Sequence, residues 1–183
     1  MEAARVVHTI EPVFDASSRV LVLGTMPSPR SREVGFYYGH PQNRFWRVME
    51  RLFGLPDRAL VENDARRAFA IEHRIALWDV LASCDIAGAS DASIARPVPN
   101  DLRRVLDVAP VGLVCTTGGR AAALCRRFHG ELLAERGIGM VALPSTSAAN
   151  ARMRLDDLVR AYGPLHDAAG SVRPAAGGGD GVQ

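Results

Sequence analysis

Four short apolar runs constrain the fold of this chain more than any other feature. They are residues 19–24 (RVLVLG), 75–80 (IALWDV), 111–116 (VGLVCT) and 139–143 (GMVAL). These runs are apolar rather than alternating, which is typical of strands buried on both faces of a parallel sheet. Because helical patterns separate them, the sequence predicts an α/β fold with right-handed crossovers and helices on both faces of the sheet.

The segments between the strands carry the signals of helices. Phe45, Val48, Met49 and Leu52 form one apolar face at helical spacing. Capping residues and glycine-containing turns predict four more helices. These are a helix over residues 63–73, one that follows Asn100-Asp101 and reaches residue 108, one from residue 120 after Gly118-Gly119, and one over residues 152–162.

Length and composition fit one compact domain. The chain has 183 residues, of which 48% are hydrophobic, enough for a core of two or three layers. From residue 168 the sequence becomes rich in glycine, alanine and proline and poor in large apolar residues, so little free energy favours its ordering. We therefore predict a single domain over residues 1–167 and a flexible tail over residues 168–183.

The charged residues and the cysteines limit the kinds of catalysis and metal binding that this chain can carry out. The formal net charge of +2 neither requires a polyanionic partner nor excludes one. Every basic side chain other than histidine is arginine, so no lysine can form a Schiff base. Cys84, Cys115 and Cys125 are widely spaced, with neither a CxxC pair nor a cysteine–histidine cluster. Three cysteines cannot ligate a four-thiolate iron-sulfur cluster, and we expect no metal and no cofactor.

The location of the protein is an expectation from hydropathy. No apolar stretch approaches the roughly 20 residues that a membrane-spanning helix needs. The first residues, MEAARVVHTIEPVF, lack the basic start and continuous apolar core of a secretory signal. We therefore expect a cytoplasmic monomer with no membrane partner.

Polar and glycine-containing segments follow the predicted strands, at the edge where parallel sheets hold their sites. The first segment contains the turn GTMP at residues 24–27, the aromatic run FYY at 36–38 and HPQN at 40–43. In the last segment, PSTS at residues 144–147 places three hydroxyl groups before a helix, where hydroxyls and free amides bind phosphate. Four arginines would add positive charge at this edge: Arg30, Arg32, Arg152 and Arg154.

Simple structural roles account for the same residues when each is taken singly. Asn43 could be only the N-cap of the helix that begins at Arg44, and the serines could form an ordinary capping loop. His40 could fix a turn before Pro41 or take a direct part in the chemistry. The remaining aromatic and polar side chains are assigned structural positions: Trp46 and Trp78 in the core, His73 and His129 at the surface, and Asp85 and Asp91 in loops.

Taken together, the stretches GTMPS, YYGHPQNRFW, ALWDVL and PSTSAANA resemble the uracil-DNA glycosylase superfamily and, within it, the hypoxanthine-DNA glycosylase family. The resemblance runs from about Val20 to Tyr162. It implies a three-layer α/β/α sandwich with a central four-stranded parallel sheet, in agreement with the pattern above. It also implies hydrolysis of the bond between a deaminated base and its sugar, in single- or double-stranded damaged DNA.

The resemblance implies a base-binding set and one catalytic residue. Tyr38 matches the position whose ring stacks on the flipped base, Asp79 falls where other branches read the base edge, and Asn43 is the catalytic position. The first motif contributes the rest of the base-binding set: Gly24, Thr25, Met26 and Pro27. Several branches carry aspartate or asparagine where this chain has Met26, and methionine cannot activate water.

The resemblance also implies a loop that grips DNA. Ser145, Thr146 and Ser147 match the second motif, which contacts the backbone, and Arg152 would add positive charge beside them. A further departure is Thr117, where the family more often has asparagine. The role of the turn at Thr117-Gly118-Gly119 therefore stays open.

Two alternatives remain open at this stage. One is a uracil-DNA glycosylase that tolerates several deaminated bases, because the motifs do not show which of uracil, hypoxanthine and xanthine the pocket prefers. The other is a DNA- or nucleotide-binding module of the same fold without catalysis, suggested by Met26. A P-loop hydrolase is disfavoured, because TTGGRAAA lacks the lysine and the hydroxyl residue of that loop.

Overall fold

The computed structural model describes residues 4–87 and 91–170, and its strands form two separate sheets. The strands in chain order are β1 (Ala4–Val7), β2 (Val20–Gly24), β3 (Ile75–Asp79), β4 (Leu81–Ile86), β5 (Ala95–Pro99), β6 (Leu113–Thr117) and β7 (Gly139–Leu143). The larger sheet has the order β3-β2-β6-β7, and the smaller one has the order β1-β4-β5.

The larger sheet is the predicted four-stranded parallel sheet. All three strand pairings in it are parallel, and Gly24 at the end of β2 is in register with Asp79 at the end of β3. The third run begins at Leu113 rather than at residue 111, because the amide of Val111 is held in a turn by the carbonyl of Ala109. The four apolar runs therefore predicted the sheet correctly.

Helices flank this sheet as the outer layers of an α/β/α sandwich. They are α1 (Pro29–Val34), α2 (Phe45–Leu52), α3 (Asn63–Glu72), α4 (Arg103–Leu106), α5 (Gly119–Glu135), α6 (Leu155–Ala161) and α7 (Gly163–Ala169). Helix α1 lies in a segment with no predicted helix, and it begins because Ser28 Oγ accepts the amide of Ser31 and Pro29 occupies the first turn. Helix α6 starts at Leu155 rather than at residue 152, since Arg154 has extended backbone.

The smaller, antiparallel sheet was not predicted. Only Val80 separates β3 from β4, so a nearly continuous strand leaves the parallel sheet and enters the antiparallel one. Asp85, which was predicted to be a loop residue, is buried in β4, where Arg5 and Arg96 both pair with it. That prediction was wrong because LASCDI mixes small and polar residues and carries little strand signal. The side chain of Asp91 lies outside the described residues.

The predicted positions of the two tryptophans are confirmed, whereas those of two histidines are wrong. Trp46 and Trp78 are buried, as predicted. His73 is half-buried between Phe53 and Phe69, with ring centroids 4.5 Å apart in both pairs. His129 is buried, and its Nε2 has no hydrogen-bond partner among the described residues. Both histidines were predicted to be at the surface, but His73 packs against two aromatic rings just after α3, and His129 lies on the buried face of α5.

The end of the described chain lies close to the predicted domain boundary. Helix α7 runs to Ala169, which is buried, so regular structure continues two residues past position 167. Residues 171–183 of the predicted tail lie outside the described residues. Over the two described ranges, no helix has the length and apolar character needed to cross a membrane.

His129 should make the fold sensitive to acid. Burial lowers the pKa of His129, with Asp101 raising it and Arg103 lowering it further. The unfolded chain therefore takes up this proton at a higher pH than the folded one, and stability falls as the pH drops below about 6.5. We expect His129→Leu to lose less unfolding free energy than the wild type between about pH 7.5 and pH 5.5 in urea titrations.

A matched control uses a histidine that is exposed. His40 is exposed, so His40→Gln controls for the loss of a histidine that the fold does not bury. Equal losses of unfolding free energy in the wild type and in His129→Leu would contradict the assignment to His129.

Candidate active site

A cavity of about 360 Å³ lies at the carboxyl ends of β2, β3 and β6, where the loop after β7 also reaches it. Nine of the predicted site residues line it: Gly24, Thr25, Met26, Pro27, Tyr38, Asn43, Asp79, Ser145 and Ser147. Two predicted residues do not: Thr146 is buried behind the cavity, and Arg152 is exposed outside it. The fold therefore brings segments more than 100 residues apart in sequence into one concave surface.

Gly24 allows a carboxylate to enter the floor of the cavity. Because β2 and β3 are in register, Gly24 lies beside Asp79. A Cβ atom at position 24 would collide with Asp79 Oδ1 and would lie 3.6 Å from Tyr38 Oη. The glycine is thus required by the close approach of the Asp79 side chain.

Asp79 is a buried carboxylate with a defined hydrogen-bond partner. His8 Nε2 lies 2.8 Å from Asp79 Oδ2, and both side chains are almost fully buried. The backbone carbonyl of Asp79 accepts a hydrogen bond of 2.9 Å from Asn100 Nδ2, which fixes the end of β3. Sequence reasoning found Asp79 but missed His8, which is 71 residues away along the chain and belongs to no motif.

Tyr38 forms an aromatic wall of the cavity. One face of its ring stacks on Phe45, with centroids 4.0 Å apart and planes inclined by 16°. Its hydroxyl is 3.2 Å from Thr117 Oγ1, and its backbone has a positive φ of 54°. Burial, and then the charge of Asp79, raise the pKa of Tyr38 well above its usual value. The phenol is therefore a neutral group that is held on one face and at its hydroxyl.

The turn after β6 has a structural part in the site. Thr117 fixes the hydroxyl of Tyr38, so the threonine that departs from the family pattern still contacts the aromatic wall. Gly118 has a φ of 97°, and a Cβ atom there would lie 3.4 Å from Ser145 Cβ. This turn thus sets the distance between the β6 end and the second motif.

The side chain of Asn43 joins both motifs. The N-cap of α2 is Arg44 rather than Asn43, because the helix begins at Phe45. Asn43 Oδ1 accepts the amide of Phe45 at 2.9 Å from the position before the cap, and it also accepts the hydroxyl of Thr146 at 2.8 Å. The first contact is local, but the second links residues 103 positions apart. Asn43 is half-buried and lines the cavity, so the amide group that holds the start of α2 also borders the cavity.

The hydroxyl of Thr146 donates its proton to Asn43. Tyr162 lies close to the hydroxyl of Thr146, and its own hydroxyl donates to the carbonyl of Pro144 at 2.8 Å. Thr146 was predicted to contact DNA with the two serines. In the structure its side chain is buried and positions Asn43, whereas Ser145 and Ser147 line the cavity.

Arg44 donates hydrogen bonds to backbone carbonyls of the second motif and of the residues that follow it. Its Nη2 donates to the carbonyls of Ser147 and Asn150, both at 2.9 Å, and its Nη1 donates to that of Met153. Its backbone amide donates to the carbonyl of Thr146 at 3.0 Å. Arg44 stands in the stretch that carried the resemblance, but no sequence signal shows which carbonyl groups an arginine reaches.

The described residues hold no candidate metal centre. Within residues 4–87 and 91–170, no three histidine, cysteine, aspartate or glutamate side chains are grouped so that they could bind a metal ion. The cavity instead offers an aromatic face, a buried carboxylate, an amide group and two serine hydroxyls. This combination suits a planar polar ring with a sugar-phosphate chain at its mouth.

Comparison with known proteins agrees with this geometry. Residues 11–164 match the model of the uracil DNA glycosylase superfamily. A hypoxanthine DNA glycosylase of Methanosarcina acetivorans is 33% identical over 144 residues, which cover 76% of this chain and 85% of that protein. A hypoxanthine DNA glycosylase of Methanosarcina barkeri is 30% identical over 142 residues, which cover 77% and 86%.

A solved structure shares the fold. It is a solution NMR structure of a candidate uracil DNA glycosylase from Methanosarcina acetivorans, with a TM-score of 0.73 and 27% sequence identity. The match covers 87% of this chain and 96% of that one. The three-layer architecture predicted from the sequence is confirmed by this similarity and by the sheet order.

The network around Arg44 should make a measurable contribution to stability. We expect Arg44→Lys to lower the free energy of unfolding by about 1 to 3 kcal/mol, because an ammonium group cannot donate to several diverging carbonyls at once. Urea denaturation measures the change. Arg47→Lys is the matched control, since Arg47 is exposed on the same helix. Equal stability of the two variants would show that the Arg44 network is dispensable.

Proposed function

The chain belongs to the uracil DNA glycosylase superfamily, and from this premise we propose that it is a monofunctional DNA glycosylase that removes hypoxanthine from DNA. The observation that carries the proposal is the buried carboxylate of Asp79 on the floor of a cavity walled by Tyr38. Both relatives named above are called hypoxanthine DNA glycosylases, which supports the same substrate.

A glycosylase acts on a base that has left the helix. Unpairing costs a few kcal/mol and costs least at a mismatch or lesion, which favours damaged bases before any contact is made. In the cavity, the ring of the base would stack on the face of Tyr38 opposite Phe45. Such stacking contributes about 1 to 3 kcal/mol per base and depends little on base identity.

Asp79 distinguishes hypoxanthine from adenine in this proposal. Hypoxanthine has a ring N1–H donor and an O6 acceptor, so Asp79 accepts the first and backbone amides near Thr25 and Met26 donate to the second. Adenine has an acceptor at N1, which would oppose the carboxylate oxygen and leave it unpaired. Guanine shares N1–H and O6, so its rejection must come from its 2-amino group meeting the cavity wall.

Hydrolysis requires a water placed below the anomeric carbon. The water oxygen bonds to that carbon, the base departs with the electrons of the glycosidic bond, and the released proton passes to solvent or to the departing base. We assign the orientation of this water to Asn43 Oδ1. Thr146 would free this oxygen for the water by turning its hydroxyl to Tyr162, while the amide of Phe45 keeps the side chain in place.

Orientation must supply most of the catalysis in this site. An amide is a poor base, and Met26 lines the cavity where several branches of the superfamily carry an acidic or amide side chain. Fixed dipoles and a near-attack geometry can each lower a barrier by several kcal/mol. The rigid environment of Asn43 and Tyr38 is consistent with that mode of catalysis.

The remaining assignments concern the DNA backbone. Ser145 and Ser147 lie at the mouth of the cavity, and Arg152 is exposed nearby in sequence, so we propose that they contact phosphates beside the flipped nucleotide. We also propose that the protein acts as a cytoplasmic monomer on single- or double-stranded DNA. Uracil is the second candidate substrate, since its N3–H would also suit Asp79.

Base release is the direct test of the proposal. With EDTA present, the purified protein should release hypoxanthine from deoxyinosine oligonucleotides, and the strand should break only after hot alkali. Borohydride should trap no covalent adduct, because the sequence contains no lysine to form an imine. Oligonucleotides with uracil or xanthine are the comparison substrates. Faster release of uracil would favour the second candidate, and binding without release of any base would favour a non-catalytic module.

Asn43 provides the test of mechanism. If it only capped α2, Asn43→Ala would cost about 0.5 to 2 kcal/mol of stability, and the folded fraction would retain the wild-type rate. We expect instead that Asn43→Ala lowers single-turnover excision by at least about a hundredfold, with little change in affinity for inosine DNA.

The conservative variant separates capping from catalysis. Asn43→Asp keeps an oxygen that can accept from both Phe45 and Thr146, so we expect it to fold as the wild type does and to retain part of the activity. Thermal melting must show both variants folded. A folded Asn43→Ala protein with the wild-type rate would move the catalytic assignment to His40 or to the turn at Thr25 and Met26.

A further inference from the structure

His8 and Asp79 form a buried pair directly beneath the cavity. Their side chains are 4% and 6% exposed, and His8 Nε2 lies 2.8 Å from Asp79 Oδ2. Asp79 lines the cavity, whereas His8 does not, so any influence of His8 on a bound base passes through the carboxylate.

The antiparallel sheet holds His8 in this position. His8 follows β1, which pairs with β4, and its amide donates to the carbonyl of Ala82 at 2.8 Å. Tyr37 secures the next part of the chain, because its hydroxyl donates to the carbonyls of Ile10 and Glu11 at 3.0 and 3.1 Å. The backbone at His8 and the chain just after it are therefore held in place before any substrate binds.

The hydrogen-bonding character of Asp79 depends on where a proton lies. Burial favours the neutral form of a carboxylic acid, and a neutral acid could donate to a base instead of accepting from it. A hydrogen bond from an imidazole N–H favours the ionised carboxylate.

We propose that His8 is a positioning residue that keeps Asp79 an acceptor and thereby sets the preference for hypoxanthine over adenine and for uracil over cytosine. An acceptor at this point suits a ring N–H, which hypoxanthine, xanthine and uracil all carry. The same acceptor would face the unprotonated ring nitrogen of adenine or cytosine, and no hydrogen bond can form between two acceptors. The inference rests on the proposed function, and it concerns the rejection of adenine and cytosine rather than the rejection of guanine or the choice among deaminated bases.

The first arm of the test does not require catalysis. In wild-type protein labelled with nitrogen-15 in histidine, NMR spectra of the imidazole should show that His8 Nε2 carries a proton near neutral pH. A bare Nε2 that accepts from a protonated Asp79 would overturn the proposal. This measurement can be made even if the wild type releases no base. Absence of base release would refute the proposed function, but it would leave the result on the His8 proton unaffected.

The second arm compares two variants of His8 on DNA. His8→Leu removes the donor, so single-turnover excision of hypoxanthine should fall by about tenfold to a hundredfold. Excision of adenine should rise relative to that of hypoxanthine. His8→Gln keeps an N–H donor at a similar reach and should restore most of the rate and the preference.

Affinity for abasic DNA separates this role from a structural one. Both variants should bind a duplex with an abasic site as the wild type does, because only the contact to the base changes, and thermal melting should show them folded. A wild-type rate and preference in His8→Leu would overturn the proposal. So would equal losses in both variants, or a parallel loss of abasic-site affinity.

Discussion

The guanidinium of Arg44 ties the loop after β7 to the start of α2. It donates to the carbonyls of Ser147, Asn150 and Met153, and the adjacent Asn43 accepts the hydroxyl of Thr146. Carbonyl groups in an irregular loop need partners when they are partly buried, and one arginine supplies several at a fixed geometry. The loop that would lie against DNA is thereby built on the start of a helix that packs in the core.

The close packing of three residues at the floor of the cavity is a second constraint on the structure. Gly24 leaves the space into which Asp79 Oδ1 projects, and the hydroxyl of Tyr38 comes to the same place. Thr117 and Phe45 then fix the tyrosine at its hydroxyl and on one face. Because each group limits the position of the next, the cavity has little freedom to rearrange around a base. Such preorganisation is what a site without a strong base needs.

The sequence predicted the parts of the fold that depend on local pattern. The four apolar runs gave the parallel sheet, and the apolar face from Phe45 to Leu52 gave α2. The motifs also identified most of the residues that line the cavity. The antiparallel sheet was missed because β4 reads as LASCDI, without a strand-like alternation. The His8–Asp79 pair and the contacts of Arg44 could not be predicted, since they join residues 71 to 109 positions apart.

The near-continuous passage from β3 through Val80 into β4 couples the two sheets. Side chains alternate along a strand, so a slip of β1 by one residue against β4 would turn His8 away and offer Val7 or Thr9 to Asp79. A single-codon insertion or deletion in the part of the gene that encodes β1 could produce that slip without altering any residue of the cavity. Under the role proposed for His8, a change of strand register would then alter the preference for bases at a distance from the residues that line the cavity.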